Sequence, residues 1–396
     1  MMKSKKPGHF TPRVIQSRFP AAWTWFVDEL IPATAKKKYS PKESWKEKPF
    51  SKEDARFFFK GIEELSNLFT EERPKGMVPY FNHPKYRCAY LLYFLPLQAA
   101  KFLTLFELNP GALKAALQHG REQKVLRIAD IGAGPATASL AFLLWILENE
   151  KGEIPRIEFY WSDTQSDILK DGKELVESLS NQFPKLRDKV EIHLSTLPWW
   201  KSASRLPDEL SLTFLGHVLN ESAVPTQMSE AFWPDLIDRA SGGGVLMVEP
   251  AARKSSQYLS RLRNELFSND CIENTPQRIW GPCLHAGNCP LAEGRDWCHF
   301  SVPTKIPGEW FKGFSENLGS ERQWVKFSYL WVASASHPAP LPPATARRVI
   351  SDTLSQGLKA THLLCEPDEA RKWNPPSGVR IWRGDVVKLS KGREEF

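Results

Sequence analysis

The stretch from Val125 to Leu147 constrains the fold more than any other part of this sequence. It reads V-L-R-I-A-D-I-G-A-G-P-A-T-A-S-L-A-F-L-L-W-I-L, an apolar run of strand length, two glycines, a proline and a second apolar run. This order predicts a strand, a tight loop and a helix, because proline is tolerated in a first helical turn. Gly132 and Gly134 would let backbone N–H groups approach a ligand beside the helix N-terminus. The alternative is an ordinary α/β turn without a ligand.

Two acidic residues favour the ligand-binding interpretation. Asp130 lies just before the loop, and Asp163 follows the next apolar run, 157–162, where a carboxylate could hold the two hydroxyls of a ribose. The loop D-I-G-A-G-P-A is closer to an S-adenosylmethionine (SAM) loop than to a nicotinamide loop, with Ala136 in place of a commoner glycine. We therefore expect Asp130, Gly132, Gly134 and Asp163 to bind SAM.

The chain after Val125 alternates between strand and helix patterns. Strands are predicted at 125–131, 157–162, 190–194, 210–215 and 244–249, and helices near 135–148, 166–182, 226–240 and 255–268. This alternation predicts an α/β fold with a parallel sheet and ligands at the carboxyl ends of its strands. His217, Asn220, Glu221 and Glu249 follow the fourth and fifth strands and are candidates for the cleft. No Asn-Pro-Pro-Tyr motif or strand-end Pro-Cys or Thr-Cys nucleophile is present, so the catalytic residues stay unassigned.

The N-terminal part of the chain is predicted to form a basic arm and a helical region. Residues 1–52 hold 12 of the 53 basic residues against 4 of the 46 acidic ones, although the whole chain has a net charge of only +7. Lysines 36, 37, 38, 42, 46, 48 and 52 could contact RNA phosphates. The interleaved aromatic residues Trp23, Trp25, Phe26, Tyr39 and Trp45 could stack on bases, or they could instead dock on the core. Residues 53–120 have the apolar spacing of helices, and Cys88 is expected in the core.

Membrane insertion and export are not expected. No run approaches the roughly 20 apolar residues of a membrane helix, and the first residues lack the apolar core of a secretory signal. Hydrophobic residues make up 41% of the sequence, which is enough for an ordinary buried core.

Three cysteines in one loop predict a metal-binding insertion. Cys283, Cys289 and Cys298 lie in P-C-L-H-A-G-N-C-P-L-A-E-G-R-D-W-C-H-F, within a loop segment that we place at 271–303. Zinc sites prefer closer pairs, and a 4Fe–4S cluster tolerates wider spacing with a distant fourth ligand, for which Cys365 is the natural candidate. The spacing leaves zinc open, with His285 or His299 replacing a thiolate, and it leaves open three incidental thiols.

The end of the chain is predicted to be a small β appendage, 344–396. It follows a predicted aromatic strand, 324–333, and the proline-rich linker H-P-A-P-L-P-P, so the α/β domain itself would span 121–336. The appendage contains short strand patterns and scattered arginines and lysines, including Arg371, Lys372, Arg380 and Arg383. These could contact phosphates or simply solvate the surface.

The sequence resembles a family of methyltransferase-like proteins of small-ribosomal-subunit assembly, found in mitochondria and in bacteria. The resemblance runs from about residue 80 to the end and rests on D-I-G-A-G-P-A-T-A, H-V-L-N-E, V-E-P, the cysteine segment and L-L-C-E. It implies a class I SAM-methyltransferase (Rossmann-like) fold, SAM, and a 4Fe–4S cluster on Cys283, Cys289, Cys298 and Cys365. It further implies association with small-subunit rRNA.

From these observations we expect an iron–sulfur, SAM-fold factor that binds small-subunit rRNA during ribosome assembly, with or without methyl transfer. The alternatives are an active rRNA methyltransferase with structural zinc and a non-catalytic RNA-binding module with a vestigial cleft. We expect a monomer off the ribosome, in the cytoplasm of a bacterium or in the mitochondria of a eukaryote.

Overall fold

The computed structural model describes most of the chain. The described residues are 20–46, 48, 50–70, 79–220, 231–268, 278–303, 306–318, 324–354, 360–376 and 378–389. Of the positions discussed above, Glu221, residues 1–19 and the first part of the cysteine segment, 271–277, lie outside this set.

A mixed sheet forms the centre of the molecule. Its strands are β1 (Val125–Ile131), β2 (Arg156–Ser162), β3 (Val190–Ser195), β4 (Leu212–Gly216), β5 (Val245–Pro250), β6 (Ile279–Gly281), β7 (Phe300–Pro303) and β8 (Trp324–Val332). They are ordered β3-β2-β1-β4-β5-β8-β6, and β7 pairs with β8. With helices packed on it, this is the sheet of an α/β fold, as the sequence predicted.

The five strands predicted from the sequence form a parallel sheet, as expected, and three further strands extend it with β8 in the opposite direction. Strands β1 to β5 are parallel, but β8 runs antiparallel to β5, and β6 and β7 run antiparallel to β8. The sequence pattern could not show this, because an apolar strand buried on both faces has the same composition in either direction. The cysteine loop therefore lies between β6 and β7, two strands that are both anchored on β8.

Helices cover the sheet close to their predicted positions. Those after β1 are Thr137–Asn149, Ser166–Gln182, Phe232–Arg239, Arg253–Ser268 and Glu309–Asn317, with a 3₁₀ helix at Trp199–Arg205. The first of them begins two residues later than predicted, because Ala136 takes a left-handed conformation with φ +62° and so cannot belong to the helix.

The N-terminal helical region packs on the sheet through long apolar helices. Its elements are Ala21–Trp25, Phe26–Leu30, Ile31–Tyr39, Glu43–Lys46, Lys52–Thr70, Tyr80–Asn82, Pro84–Ala89, Tyr90–Phe94, Leu95–Leu108 and Pro110–Glu122. Phe106 lies at the centre of the contact, with its ring beside those of Phe142, Phe214 and Trp331. Cys88 is 1% exposed, which confirms its place in the core.

One continuous helical stretch in this region has the length and composition of a membrane helix, which the sequence analysis did not expect of any segment. Pro84–Leu108 spans 25 residues and is apolar enough to cross a membrane, but 89% of its apolar window is buried inside the protein. Burial on this scale is typical of a core helix.

The described part of the predicted basic arm is folded onto the body. Trp23 and Phe26 are 1% and 0% exposed, so they belong to the core and not to an RNA-stacking surface. Lys36 forms a buried ion pair with Asp54 at 2.6 Å. Lys38 pairs with Asp171 at 2.6 Å, and the Tyr39 hydroxyl donates to the same carboxylate. Docking on the core, the alternative stated for the aromatic residues, is the observed arrangement for Trp23 and Phe26.

The C-terminal unit is a separate small sheet. Its strands are β9 (Ala346–Val349), β10 (His362–Glu366), β11 (Glu369–Trp373) and β12 (Val386–Lys388), in the antiparallel order β11-β10-β9-β12. Val349, Leu364, Ile381 and Val387 form its own core. The proline-rich linker at 337–343 has no regular structure, and its Leu341 is 76% exposed.

Candidate functional site

A cleft opens at the carboxyl ends of β1, β2 and β4. Gly132 and Gly134, Asp163 and His217 all line it, each from the loop that follows one of these strands. Parallel strands bring their carboxyl ends to one edge, so residues far apart in sequence share this cleft.

The glycine turn has the geometry that its sequence predicts. Gly132 and Gly134 have φ values of +67° and +53°, which residues with a Cβ rarely adopt. A Cβ at Gly132 would lie 2.2 Å from a methyl carbon of Val218, so the turn leaves no space for one. Residue 136 also has a positive φ. It is an alanine, so this left-handed conformation carries some backbone strain.

Asp163 lies opposite this turn. Its Oδ2 accepts a hydrogen bond from the Gly134 N–H at 3.0 Å and its Oδ1 accepts one from the Gln165 N–H at 2.9 Å. Burial raises the pKa of the carboxyl although these backbone bonds oppose the shift. Because each carboxylate oxygen has two lone pairs, both can still accept a bond from a ligand hydroxyl.

Asp130 is buried at the base of the cleft and supports the helix that follows. Its Oδ2 accepts bonds from the N–H and the hydroxyl of Ser139 at 3.1 and 2.7 Å. Burial raises its pKa to about 7, against the effect of these two bonds. The structure thus places Asp130 beside the predicted ligand site and gives it the role of a helix-capping group.

His217 is at the end of β4 in a left-handed conformation, with φ +61°. Its Nε2 lies 3.3 Å from the Nζ of Lys101, a residue that is only 8% exposed. Non-glycine residues in this conformation are uncommon and concentrate at functional positions. The lysine comes from the N-terminal helical region, and no motif in its own sequence indicates this role.

Two further polar atoms in the cleft were not predicted from sequence. Gln98 Oε1 and Thr137 Oγ1 are buried without a hydrogen-bond partner in the described part of the chain, and both residues line the cleft. Buried polar atoms normally have a partner, so these two are candidates for ligand contacts. Rings of Tyr80, Tyr90 and Trp199 complete the walls.

The other predicted cleft residues lie elsewhere. Glu249 is fully buried, and its Oε1 accepts a bond from the Leu219 N–H at 2.9 Å, so it supports the loop after β4 and does not line the cleft. Asn220 does not line the cleft either. A strand-end position alone could not distinguish a ligand contact from support of a neighbouring loop.

The four predicted thiols lie near one another, between the loop after β6 and strand β10. Cys283, Cys289 and Cys298 line one small cavity. Cys365, on β10, lies close enough that the charges of Cys283 and Cys289 add to burial in raising its thiol pKa. Its sulfur is 3.2 Å from Nε2 of His285. The side chain of His299 instead bonds the Trp297 carbonyl through Nδ1.

Arg263 is a buried cation beside these thiols. It is 2% exposed, its charge opposes the effect of burial on the Cys283 thiol pKa, and its Nη2 donates to the His285 carbonyl at 2.8 Å. Its Nε has no partner, and the described part of the chain offers it no carboxylate. A buried charge without a counter-charge is costly, which points to an anionic group in this site.

No three histidine, cysteine, aspartate or glutamate side chains in the described residues are arranged to hold one metal ion. The positive charges of Arg263 and Arg348 lower the thiol pKa values of Cys283 and Cys365, against the larger effect of burial.

Contacts between the loop and the small sheet bring Cys365 to the other thiols. Asn288 donates to Asp368 at 2.9 Å, and the Asp368 N–H donates to the Asn288 carbonyl at 3.1 Å. Arg348, which pairs with Cys365 across β9 and β10, donates to the Pro282 carbonyl.

Comparison with solved structures returns methyltransferases at low similarity. An rRNA methylase from Streptococcus thermophilus is 9% identical, with 57% of this chain and 94% of that chain covered and a TM-score of 0.29. An O-methyltransferase family protein from Burkholderia thailandensis is 12% identical, with 71% of each chain covered and a TM-score of 0.30. The plantazolicin methyltransferase BpumL in complex with SAH is 7% identical, covers 71% of this chain and 98% of its own, and has a TM-score of 0.31.

No curated protein matches this sequence. The family model described as mitochondrial small ribosomal subunit Rsm22 matches residues 89–374, which include the glycine turn and all four thiols. The chain therefore belongs to the Rsm22 family of the mitochondrial small ribosomal subunit.

Proposed function

We propose that this chain is an assembly factor that binds small-subunit rRNA, holds SAM in the cleft and carries a 4Fe–4S cluster on four cysteines. The observation that carries the proposal is the Gly134–Asp163 contact at the cleft edge, in a chain that belongs to a small-ribosomal-subunit family. In a eukaryote the protein would act in mitochondria, and in a bacterium it would act on the ribosome in the cytoplasm.

In this proposal the turn and Asp163 bind SAM. Backbone groups of the Gly132–Gly134 turn lie beside the amino-acid part, and Asp163 accepts bonds from the ribose hydroxyls. Gln98 and Thr137 would satisfy their buried oxygens on the ligand. SAM supplies an electrophilic methyl group, and the protein residues named here bind and orient it.

Calorimetric titration with SAM tests this site. Asp163→Ala should weaken binding by about 10- to 150-fold, because charge-assisted hydrogen bonds contribute roughly 1.5 to 3 kcal/mol. Asp208→Ala is the matched control, since that side chain is 98% exposed and should leave binding unchanged. If the wild type does not bind SAM at millimolar concentration, the cleft is vestigial and this part of the proposal is wrong.

Cys283, Cys289, Cys298 and Cys365 would hold the iron–sulfur cluster. It would supply a one-electron redox centre or a structural link between the two sheets. The buried charge of Arg263, for which the described residues provide no carboxylate partner, supports an anionic occupant here.

Iron and sulfide analysis of anaerobically purified protein tests the cluster. We expect Arg263→Met to lose most of the iron and of the visible absorbance, and Arg263→Lys to retain a larger share. Arg261→Met is the control, because Arg261 is exposed on the same helix. Full iron content in Arg263→Met would contradict a charge-compensating role, and zinc without sulfide in the wild type would replace the cluster by a structural zinc site.

Sedimentation with small-subunit precursors tests RNA binding. Residues 1–19 contain five basic residues and no acidic one, whereas residues 20–46 include parts of the core. Removing residues 1–19 should lower both the affinity and its salt dependence, as expected when lysines displace counterions from phosphates. An unchanged salt dependence would assign the RNA contacts to the folded body.

A catalytic role is the second candidate. The strained His217 beside Lys101 at the end of β4 favours an active rRNA methyltransferase, because such conformations concentrate at functional positions. Transfer of labelled methyl groups from SAM to immature small subunits distinguishes this candidate from a non-catalytic factor.

A further inference from the structure

A groove on the C-terminal unit is lined by aromatic and cationic side chains. The groove has a volume of about 400 Å³ and is lined by residues of the loop before β12, including Arg380, Trp382 and Arg383. It lies away from the SAM cleft, and its lining includes none of the four thiols.

The aromatic part of this surface is a pair of indole rings. Trp324, the first residue of β8, is 38% exposed, and its ring centroid lies 5.5 Å from that of Trp382 at an angle of 44°. A single exposed tryptophan would need no explanation. Two adjoining indoles beside a groove form a surface on which flat ring systems can stack.

The charged part of the surface is Arg380 with Lys326. The guanidinium of Arg380 lies 4.2 Å from the ring centroid of Trp382, and it makes no hydrogen bond or ion pair with another described residue. Lys326 follows Trp324 by two residues on β8, so both side chains leave the same face of the strand. Both cations are exposed.

Acidic charge in the groove is already neutralised. Asp352 lies 3.5 Å from Arg383, whose Nη1 also donates to the Ile350 carbonyl, so this pair fixes the groove wall. Among the described charged residues of the groove lining, Arg380 is therefore the one without an acidic partner.

We propose that this groove, lined by Trp382 and Arg380, together with the adjoining β8 residues Trp324 and Lys326, binds single-stranded nucleic acid. Bases would stack on the indoles, and the two cations would contact phosphates, which is the combination that single-strand sites use. A proline-rich peptide could also fit an aromatic groove, but it would leave both cations without a counter-charge. The inference rests on the proposed function in that the natural strand would be an unpaired segment of small-subunit rRNA.

Fluorescence anisotropy of a labelled ten-residue oligouridylate on the full chain tests the proposal. Trp324→Ala should weaken binding by about 5- to 150-fold, the range for losing one stacked base, and Trp324→Phe should retain most of the affinity. Arg380→Gln should weaken binding and reduce the slope of log affinity against log salt by about 0.7, the value for one phosphate contact on a single strand.

Arg371→Gln is the charge-matched control. Arg371 is an exposed arginine of the same small sheet, 3.6 Å from Glu366 and not part of the groove lining. It should change neither the affinity nor the salt slope appreciably. Circular dichroism of each variant would show that the fold is retained.

Several outcomes would overturn the proposal. Affinities of Trp324→Ala and Arg380→Gln equal to that of Arg371→Gln would place strand binding elsewhere. Equal binding of a ten-base-pair duplex would exclude stacking on separated bases, and Trp324-dependent binding of a proline-rich decapeptide would identify a peptide groove. If the wild-type protein sediments with small subunits but does not bind oligouridylate, this inference is wrong and the proposed function still stands.

Discussion

At the scale of single residues, the buried carboxyl of Asp130 has a raised pKa, and its effect on protein stability can be measured as a function of pH. Burial raises the pKa of its carboxyl from 3.8 to about 7 in the folded state. An acid with a raised pKa holds its proton in the folded chain after the unfolded chain has lost it. The contribution of Asp130 to the free energy of unfolding therefore falls as pH rises from about 4 to about 7. Above that range it no longer changes with pH.

We predict that Asp130→Asn removes this pH dependence. The amide oxygen can still accept the bonds from Ser139, but it does not titrate. The stability of the wild type relative to Asp130→Asn should decrease by on the order of 3 kcal/mol between pH 4.5 and pH 7.5. Urea unfolding of both proteins at the two pH values gives this difference, and a constant difference would show that Asp130 is ionised throughout.

At the scale of elements, the helix Ile31–Tyr39 is held by a buried ion pair. The side chains of Lys36 and Asp54 are each 3% exposed, and Asp54 also accepts bonds from the N–H and hydroxyl of Ser51. The same carboxylate therefore joins this helix to the start of Lys52–Thr70.

Lys36→Met should destabilise the protein by about 3 to 5 kcal/mol, because it leaves the Asp54 charge buried without its partner. Lys37→Met is the control on the neighbouring position, where the side chain is 73% exposed, and should change stability by less than about 0.5 kcal/mol. Equilibrium urea unfolding followed by tryptophan fluorescence measures both. Equal stabilities of the two variants would contradict a buried pair at this position.

At the scale of the whole molecule, the thiol site joins two sheets that have separate cores. Three thiols belong to the loop between β6 and β7, and Cys365 belongs to β10 beyond the exposed linker. If the four cysteines bind a cluster, the cluster restrains the C-terminal unit in addition to the contacts of Asn288 with Asp368.

We predict that Cys365→Ser lowers the iron content and increases proteolysis near the exposed linker residue Leu341. Cys88→Ala is the control, since Cys88 is buried among the N-terminal helices and its loss should not affect iron. Limited proteolysis with iron analysis measures both properties. Full iron content and an unchanged digestion pattern in Cys365→Ser would remove Cys365 from the ligand set and make His285 the next candidate.

Much of the α/β core could be predicted from sequence because its signals are local. The bounds of β1 and of the helix Ser166–Gln182 match the prediction, since apolar runs and glycine turns depend on neighbouring residues. The place of Asp163 beside the turn also follows from sequence, because successive parallel strands end at the same edge.

Only the tertiary structure could decide the features that depend on partners distant in the chain. The direction of β8, the burial of Lys36 against Asp54, and the place of Arg263 beside the thiols each result from packing between separate elements. A lysine or arginine on an amphipathic helix has the same local pattern whether its charge meets water, a carboxylate or a sulfur. Local sequence signals were therefore enough to predict most strands and helices of the α/β core to within a few residues, whereas packing between distant elements sets which charges are buried and what they face.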